Sequence, residues 1–171
     1  MWNLRGQPRA IVAHTMMDAK PASFANACCQ ITGVTFGRGV VVIEPCNLIE
    51  CTLGDNVFVG PFVAILHGAN IGAHTRIQSH SLIREYVEIG SNCFIGHGVV
   101  FVGNGFTDDN ELSHKRHAVV GNNVSIGSNA TILPVRICDG CVIGAGAVLT
   151  KDALTRGIYV GNPARLLRMF D

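Results

Sequence analysis

Two residues able to do acid–base chemistry stand at a fixed interval in an otherwise regular, apolar chain: His67 and, eighteen positions on, Glu85. The next interval ends at Gly103, with Asn104 beside it. His67, Glu85 and Gly103 each follow a large apolar residue by two places, namely Ile65, Ile83 and Phe101. A neutral imidazole takes up a proton near neutrality. A carboxylate holds and orients an ammonium, and a carboxamide donates to substrate or to a developing oxyanion. Together these groups suit the attack of an amine on a thioester. Singly, each has a plain structural use, since corner histidines and glutamates are usually solvated and a turn asparagine usually caps backbone.

The elements that must gather them are written in a period of six. Leu53, Val59, Ile65, Ile71, Ile77, Ile83, Ile89, Ile95 and Phe101 recur without interruption, and glycine follows several of them. A second small or apolar residue comes four places after each, as in Val57, Val63 and Ala69. Helical faces recur at 3.6 and strand faces at 2, so this spacing predicts short strands joined by tight corners, the mark of a solenoid. Three hexads close a triangular coil of eighteen residues, and residues eighteen apart stack at one corner, about 5 Å from each other. The repeat enters at Phe36, runs through Val42 and Leu48, and takes a step of five to Leu53. A second step of five separates Ile132 from Ile137 before Ile143 and Leu149. Phe36 to Leu154 then holds close to six coils.

One segment breaks the period. Gly103 to His117 reads GNGFTDDNELSHKRH, a polar insertion at the corner that follows Phe101. Long loops on rigid scaffolds are functional by default. The expected organisation is an irregular N-terminal cap over 1–33, a β-helix over 34–154 carrying the inserted loop 103–117, and a short C-terminal tail over 155–171. The cap covers the open core and strand edges of the first coil.

Of 171 residues, 48% are apolar and 15% charged, with a formal net charge of +1. Such a chain folds around a core. Its Lys and Arg are scattered, which sets nucleic acid aside. It has no apolar run of about 20 residues to cross a membrane and no signal-peptide pattern over its first ten residues, so the cytoplasm is the expected location. Seven cysteines, without disulfide-like spacing, fit reduced thiols used as small core fillers.

The repeated Leu/Ile/Val-Gly-x-x-x-x pattern resembles the hexapeptide-repeat transferases. That resemblance implies an all-β, left-handed parallel β-helix, against the right-handed preference of ordinary crossovers. The runs VFVGPFVAILHGANIG, IQSHSLIREYVEIGSNCFIGHGVVF, SIGSNATILPVRICDGCVIGAGAVLTKD and GIYVGNPARLL look like the nucleotide-sugar N-acetyltransferases over about Val34 to Arg168. The family implies acetyl-CoA as co-substrate, a nucleotide-linked amino-deoxy sugar as acceptor, surface-glycan precursor synthesis, and a homotrimer with active sites in the clefts between prisms. It also implies that Ser128 and Ala145 let the pantetheine arm lie against backbone, and that Lys151 or Arg165 pairs with phosphates. His80 and His97, at other corners, are candidates for substrate contact across a cleft. The family's F-x-N-D segment places an asparagine near the acetyl group, and an ungapped match puts Gly103 there. Either Asn104 takes that role after a one-residue shift or the role is lost.

Three alternatives belong to other classes. O-acetyltransferases of related fold carry a catalytic histidine in an A-T-H-P segment at the insertion, where this chain has Gly105-Phe106-Thr107-Asp108. Zinc hydratases of the γ-carbonic anhydrase type need three converging histidines with an open position, and no two histidines here are five apart. Cys138-x-x-Cys141 is one pair of thiols, so no metal is expected. A non-catalytic β-helical scaffold predicts no thioester turnover.

Overall fold

Each six-residue unit folds as a two-residue strand and a four-residue corner. The strand residue that opens the period and the one four places on both point inward, so Val59, Val63, Ile65, Ala69, Ile71 and Ile77 are all buried. The computed structural model describes residues 10–12, 29–103 and 117–170; Asn104, His114, most of the inserted segment and most of 1–28 lie outside the described residues. The fold is an all-β, left-handed parallel β-helix.

Strands pair with those three places away, which builds three flat sheets. One has nine strands (β1-β4-β7-β10-β13-β16-β19-β21-β22), one seven (β2-β5-β8-β11-β14-β17-β20) and one six (β3-β6-β9-β12-β15-β18). The chain passes from the nine- to the seven- to the six-stranded sheet, as in β7 (Phe58–Val59), β8 (Ala64–Ile65) and β9 (Asn70–Ile71). The prism therefore has a 9/7 edge, a 7/6 edge and a 6/9 edge.

The seven-stranded sheet has one level more than the close to six coils expected. β2 (Gln30–Thr32) pairs in parallel with β5 (Asn47–Ile49), so the stack starts before Phe36. Ile31 is the inward residue of that rung, and its step of five to Phe36 repeats the step from Leu48 to Leu53. At its N-terminal end β1 (Ala10–Val12) lies antiparallel to β4 (Val41–Ile43). At the other end, β21 (Gly157–Gly161) continues the nine-stranded sheet in parallel with β19 (Val142–Ile143), and β22 (Ala164–Met169) folds back on β21. The expected short tail is thus a paired hairpin.

All irregular steps occur on the 7/6 edge. Four short corners lie there, three with a step of five and one with a step of four from Leu149 to Ala153, and so does the insertion between β14 (Val100–Phe101) and β15 (Val119–Val120). Ile71 pairs with Ile89, 18 positions on, and Ile89 with Val120, 31 positions on. The insertion therefore adds 31 − 18 = 13 residues to a coil, slightly less than the fifteen read from composition.

Two buried hydroxyls complete corners above them. In the corner Leu66–Ala69 the N–H of the fourth residue donates to the carbonyl of the first at 3.1 Å. At Gly90–Cys93 the Thr75 hydroxyl enters that gap, donating to Gly90 O at 2.8 Å and accepting from Cys93 N–H at 3.0 Å. Ser81 does the same at Gly96–Val99. Thr75→Val keeps the shape, since Val57 holds the same place one rung below, but it orphans a carbonyl and an N–H. The expected cost is about 1–3 kcal/mol, read as a lower urea midpoint at unchanged slope.

The six described cysteines are free, and burial raises several of their thiols, with Cys51 pushed up to about 12 and Cys141 to about 11. The raised thiols stay protonated near neutrality and pack as small apolar groups.

Candidate active site

The 7/6 edge carries the groups best suited to proton transfer. His67 stands at the corner between β8 and β9, and Glu85 one rung above, between β11 (Leu82–Ile83) and β12 (Glu88–Ile89). Strand register places them in one column, with Ile65 beside Ile83 and Leu82 beside Val100. Gly103 lies at the next level, where the chain enters the insertion.

The bonded partner of His67 is another residue. Its Nδ1 lies 2.6 Å from Oε2 of Glu50, at the short corner one rung below. A carboxylate only accepts, so Nδ1 carries the hydrogen, and in the neutral ring this tautomer puts the lone pair on Nε2. Both side chains are about half exposed, at 52% and 57%, which leaves Nε2 open to an acceptor. Glu85 instead accepts from Nε of Arg84 at 2.7 Å. The Arg84 guanidinium lies so close to Gly103 that a side-chain carbon there would come within 3.3 Å of it. His117, where the chain returns, pairs with Glu88 at 3.4 Å.

Tyr86 completes this edge. Its ring lies over Gly68, where a Cβ would come within 2.5 Å of it, so only glycine seats it. It meets His67 edge-on at a centroid distance of 5.3 Å and remains 48% exposed.

A second group forms on the 9/7 edge. Ser79 Oγ lies 2.8 Å from Nδ1 of His97, and the His97 N–H donates to Oγ of Ser128 at 3.2 Å. Ala145 continues the column one rung higher, between β19 and β20 (Val148–Leu149). His80 occupies the neighbouring position of the same edge, its ring stacked on Phe62 at 4.8 Å.

The residues singled out in the sequence therefore separate into two sets across one face. His67 and Glu85 share the 7/6 edge with Lys151, which is exposed after β20. His80, His97, Ser128 and Ala145 share the 9/7 edge. Arg165 stands apart on β22, exposed, with Nη1 donating to the Ala164 carbonyl at 2.8 Å. Between the two edges runs the seven-stranded face, whose outward row begins with the exposed polar Gln30 and Asn47 and continues with the half-buried Ala64, Leu82, Val100, Thr131 and Val148, apolar but for Thr131. Among the described residues no three His, Cys, Asp or Glu side chains are grouped to hold a metal; Cys138 and Cys141 stand together, with Sγ atoms 3.2 Å apart.

A prism of stacked six-residue turns with acid–base and hydroxyl groups along its edges defines a hexapeptide β-helix protein. Residues 50–85 match the family described as bacterial transferase hexapeptide (six repeats), and residues 117–151 match the hexapeptide repeat of succinyl-transferase. The chain belongs to the hexapeptide-repeat family.

Galactoside O-acetyltransferase of Escherichia coli K12 is 34% identical over 127 residues, covering 68% of this chain and 63% of that protein. The bifunctional protein GlmU of Streptococcus uberis is 29% identical over 154 residues, covering 84% of this chain and 33% of GlmU. The chain thus spans about a third of GlmU and under two thirds of the galactoside enzyme. Perosamine N-acetyltransferase of Caulobacter crescentus, solved with CoA and GDP-perosamine, superposes with a TM-score of 0.57 at 21% identity, over 80% of this chain and 54% of that one. The last is a likeness of fold.

Proposed function

We propose that this protein is an acetyl-CoA-dependent N-acetyltransferase acting on a nucleotide-linked amino-deoxy sugar. The observation that carries the reading is the 2.6 Å contact between Nδ1 of His67 and Glu50 on an exposed edge. The co-substrate supplies the acetyl thioester. Glu50 fixes the imidazole tautomer and stabilises the imidazolium, while Nε2 of His67 takes the proton that the sugar amine loses as its lone pair bonds to the thioester carbonyl carbon. Glu85 orients the incoming neutral amine by accepting a hydrogen bond from it. The proton on Nε2 then goes to the sulfur that leaves, so His67 ends neutral. Ser128 and Ala145 line the path of the pantetheine arm, and Lys151 and Arg165 are the cations for its phosphates.

The two edges are complementary halves of one site. A second copy packed on the apolar stretch of the seven-stranded face sets the His67 edge of one prism against the Ser128 edge of another, and a closed ring of three uses the 7/6 and 9/7 edges of each prism once. We assign the protein to a homotrimer in the cytoplasm, in the synthesis of surface-glycan precursors. A second reading, O-acetylation of a sugar hydroxyl, is favoured by the identity with the galactoside enzyme.

Incubation with acetyl-CoA and a panel of UDP-, dTDP- and GDP-linked amino sugars, galactosides included as a separate arm, tests both by release of free thiol. Turnover of a nucleotide amino sugar is expected. Thiol release only with galactosides transfers the assignment to oxygen, and silence throughout removes the acyltransfer reading.

A further inference from the structure

Corners of this helix require one residue in the left-handed backbone region. From Asn92 onward that place is held by Asn92, Gly98, Asn123, Asn129, Gly140 and Gly146, the residue types that tolerate it. At earlier corners Glu50, His74 and Tyr86 also hold it, and on the 9/7 edge Phe62 at φ 60° and His80 at φ 64° follow one another, of which Phe62 is the bulky residue least suited to it. An aromatic ring is a poor choice for this backbone, and strain of this kind collects at ligand sites. Burial does not offset it, since Phe62 is 57% exposed.

The two rings are ordered against each other. Their centroids are 4.8 Å apart and their planes 24° from parallel. His80 covers Phe62 from the rung above. The rung below opens into a cavity of about 170 Å³ lined by Pro45, Cys46, Asn47, Phe62, Val63 and Ala64. Phe62 thus stands between the His80 ring and this space. An enclosed space of roughly 150 Å³ holds benzene; this one has a similar volume but is half-open to solvent, so a pyrimidine ring, or the six-membered ring of a purine, can lie against Phe62 with one edge exposed. Asn47, exposed on β5, places a carboxamide with both donor and acceptor at the cavity wall.

We infer that Phe62, backed by His80, is a stacking platform for a nucleobase, with Asn47 at the edge of the base. Stacking on an aromatic face suits any base, and the platform lies on the same edge as His97, Ser128 and Ala145, towards its N-terminal end. The base comes from one of two sources, the nucleotide of the acceptor or the adenine of coenzyme A. The choice between these sources rests on the acyltransfer reading above; the platform itself does not.

The experiment measures binding of UDP, dTDP, GDP and coenzyme A to the full chain and to its Phe62→Asn and Phe62→Trp variants by calorimetry. Asparagine suits the backbone at this corner, so Phe62→Asn is expected to melt no lower than the natural protein. Its affinity for a nucleoside diphosphate is expected to fall about 5- to 150-fold, with Phe62→Trp retaining it and coenzyme A binding unchanged. A loss confined to coenzyme A supports the same platform, occupied by adenine. Equal affinities of Phe62→Asn and the natural protein for every probe, or no binding of any probe by the natural protein, overturns the inference. If nucleotide binding depends on Phe62 while no amino sugar is acetylated, the platform stands and the acyltransferase reading falls. If amino sugars are acetylated with KM unmoved by Phe62→Asn, the reverse holds.

Discussion

His67→Ala is expected to lower kcat by about 10²- to 10⁴-fold, the usual worth of a positioned general base, without altering the oligomeric state. Glu50→Gln keeps the shape of the corner but replaces the carboxylate that accepts from Nδ1 at 2.6 Å. Nε2 then loses its support as a base, so a smaller loss of about tenfold is expected, with the pH–rate profile displaced. Because Glu50 acts through His67, Glu50→Gln should cost nothing further in the His67→Ala background. Glu85→Ala is a different test. Glu85 is bonded to Arg84, not to His67, so its loss should raise KM for the amine in either background. Steady-state kinetics with sedimentation velocity on the same samples check all five variants. Turnover undiminished in His67→Ala would sink the site.

The largest effect on stability is expected from the middle of the stack. Ile95 is fully buried on β13 (Phe94–Ile95), in register with Ile77 below and Ile126 above. Ile95→Ala removes a side chain that both neighbouring rungs pack against, and those rungs are held by strand pairing on all three faces, so the gap cannot close by collapse. The expected loss is about 2–5 kcal/mol. Phe94→Ala, the adjacent exposed strand residue at 43%, should cost far less. Denaturant midpoints at equal protein concentration measure the difference. Equal midpoints for the two variants would mean that stability does not reside in the central column.

These two predictions differ in how far they could be read from the sequence. The inward column that contains Ile95 was legible because the side-chain period, six, survives in the text of the chain. The alignment of His67 with Glu85 was legible for the same reason, since no short step separates them. Glu50 was not, although it is the residue bonded to His67 at 2.6 Å. Counting eighteen back from His67 reaches Ile49; the five-residue step from Leu48 to Leu53 shifts the stack by one and brings Glu50 into place. The short step itself was visible, so carrying it into the count of stacked neighbours would have found the pair.

The rung at Gln30–Thr32 escaped for a related reason. Ile31 is its only inward residue with repeat character, and its step to Phe36 is again five, so no run of sixes announces it. Tyr86 and Phe62 escaped because corner positions look alike in sequence. That one needs Gly68 beneath its ring, and that the other sits between His80 and a cavity, are facts of packing between rungs. That His80 and His97 stand at other corners than His67 was legible from the period; that Ser128 and Ala145 share their edge emerged once the three sheets had been counted.

The confinement of every change of coil length to the 7/6 edge has a bearing on how such a protein can diversify. Wherever residues are gained or lost there, the two remaining edges keep their ladders intact, as Ile95 still meets Ile126 across the insertion. One seam of the prism is thus open to editing while the others serve as a fixed frame, and new acceptor preferences can be grafted at that seam without redesigning the scaffold.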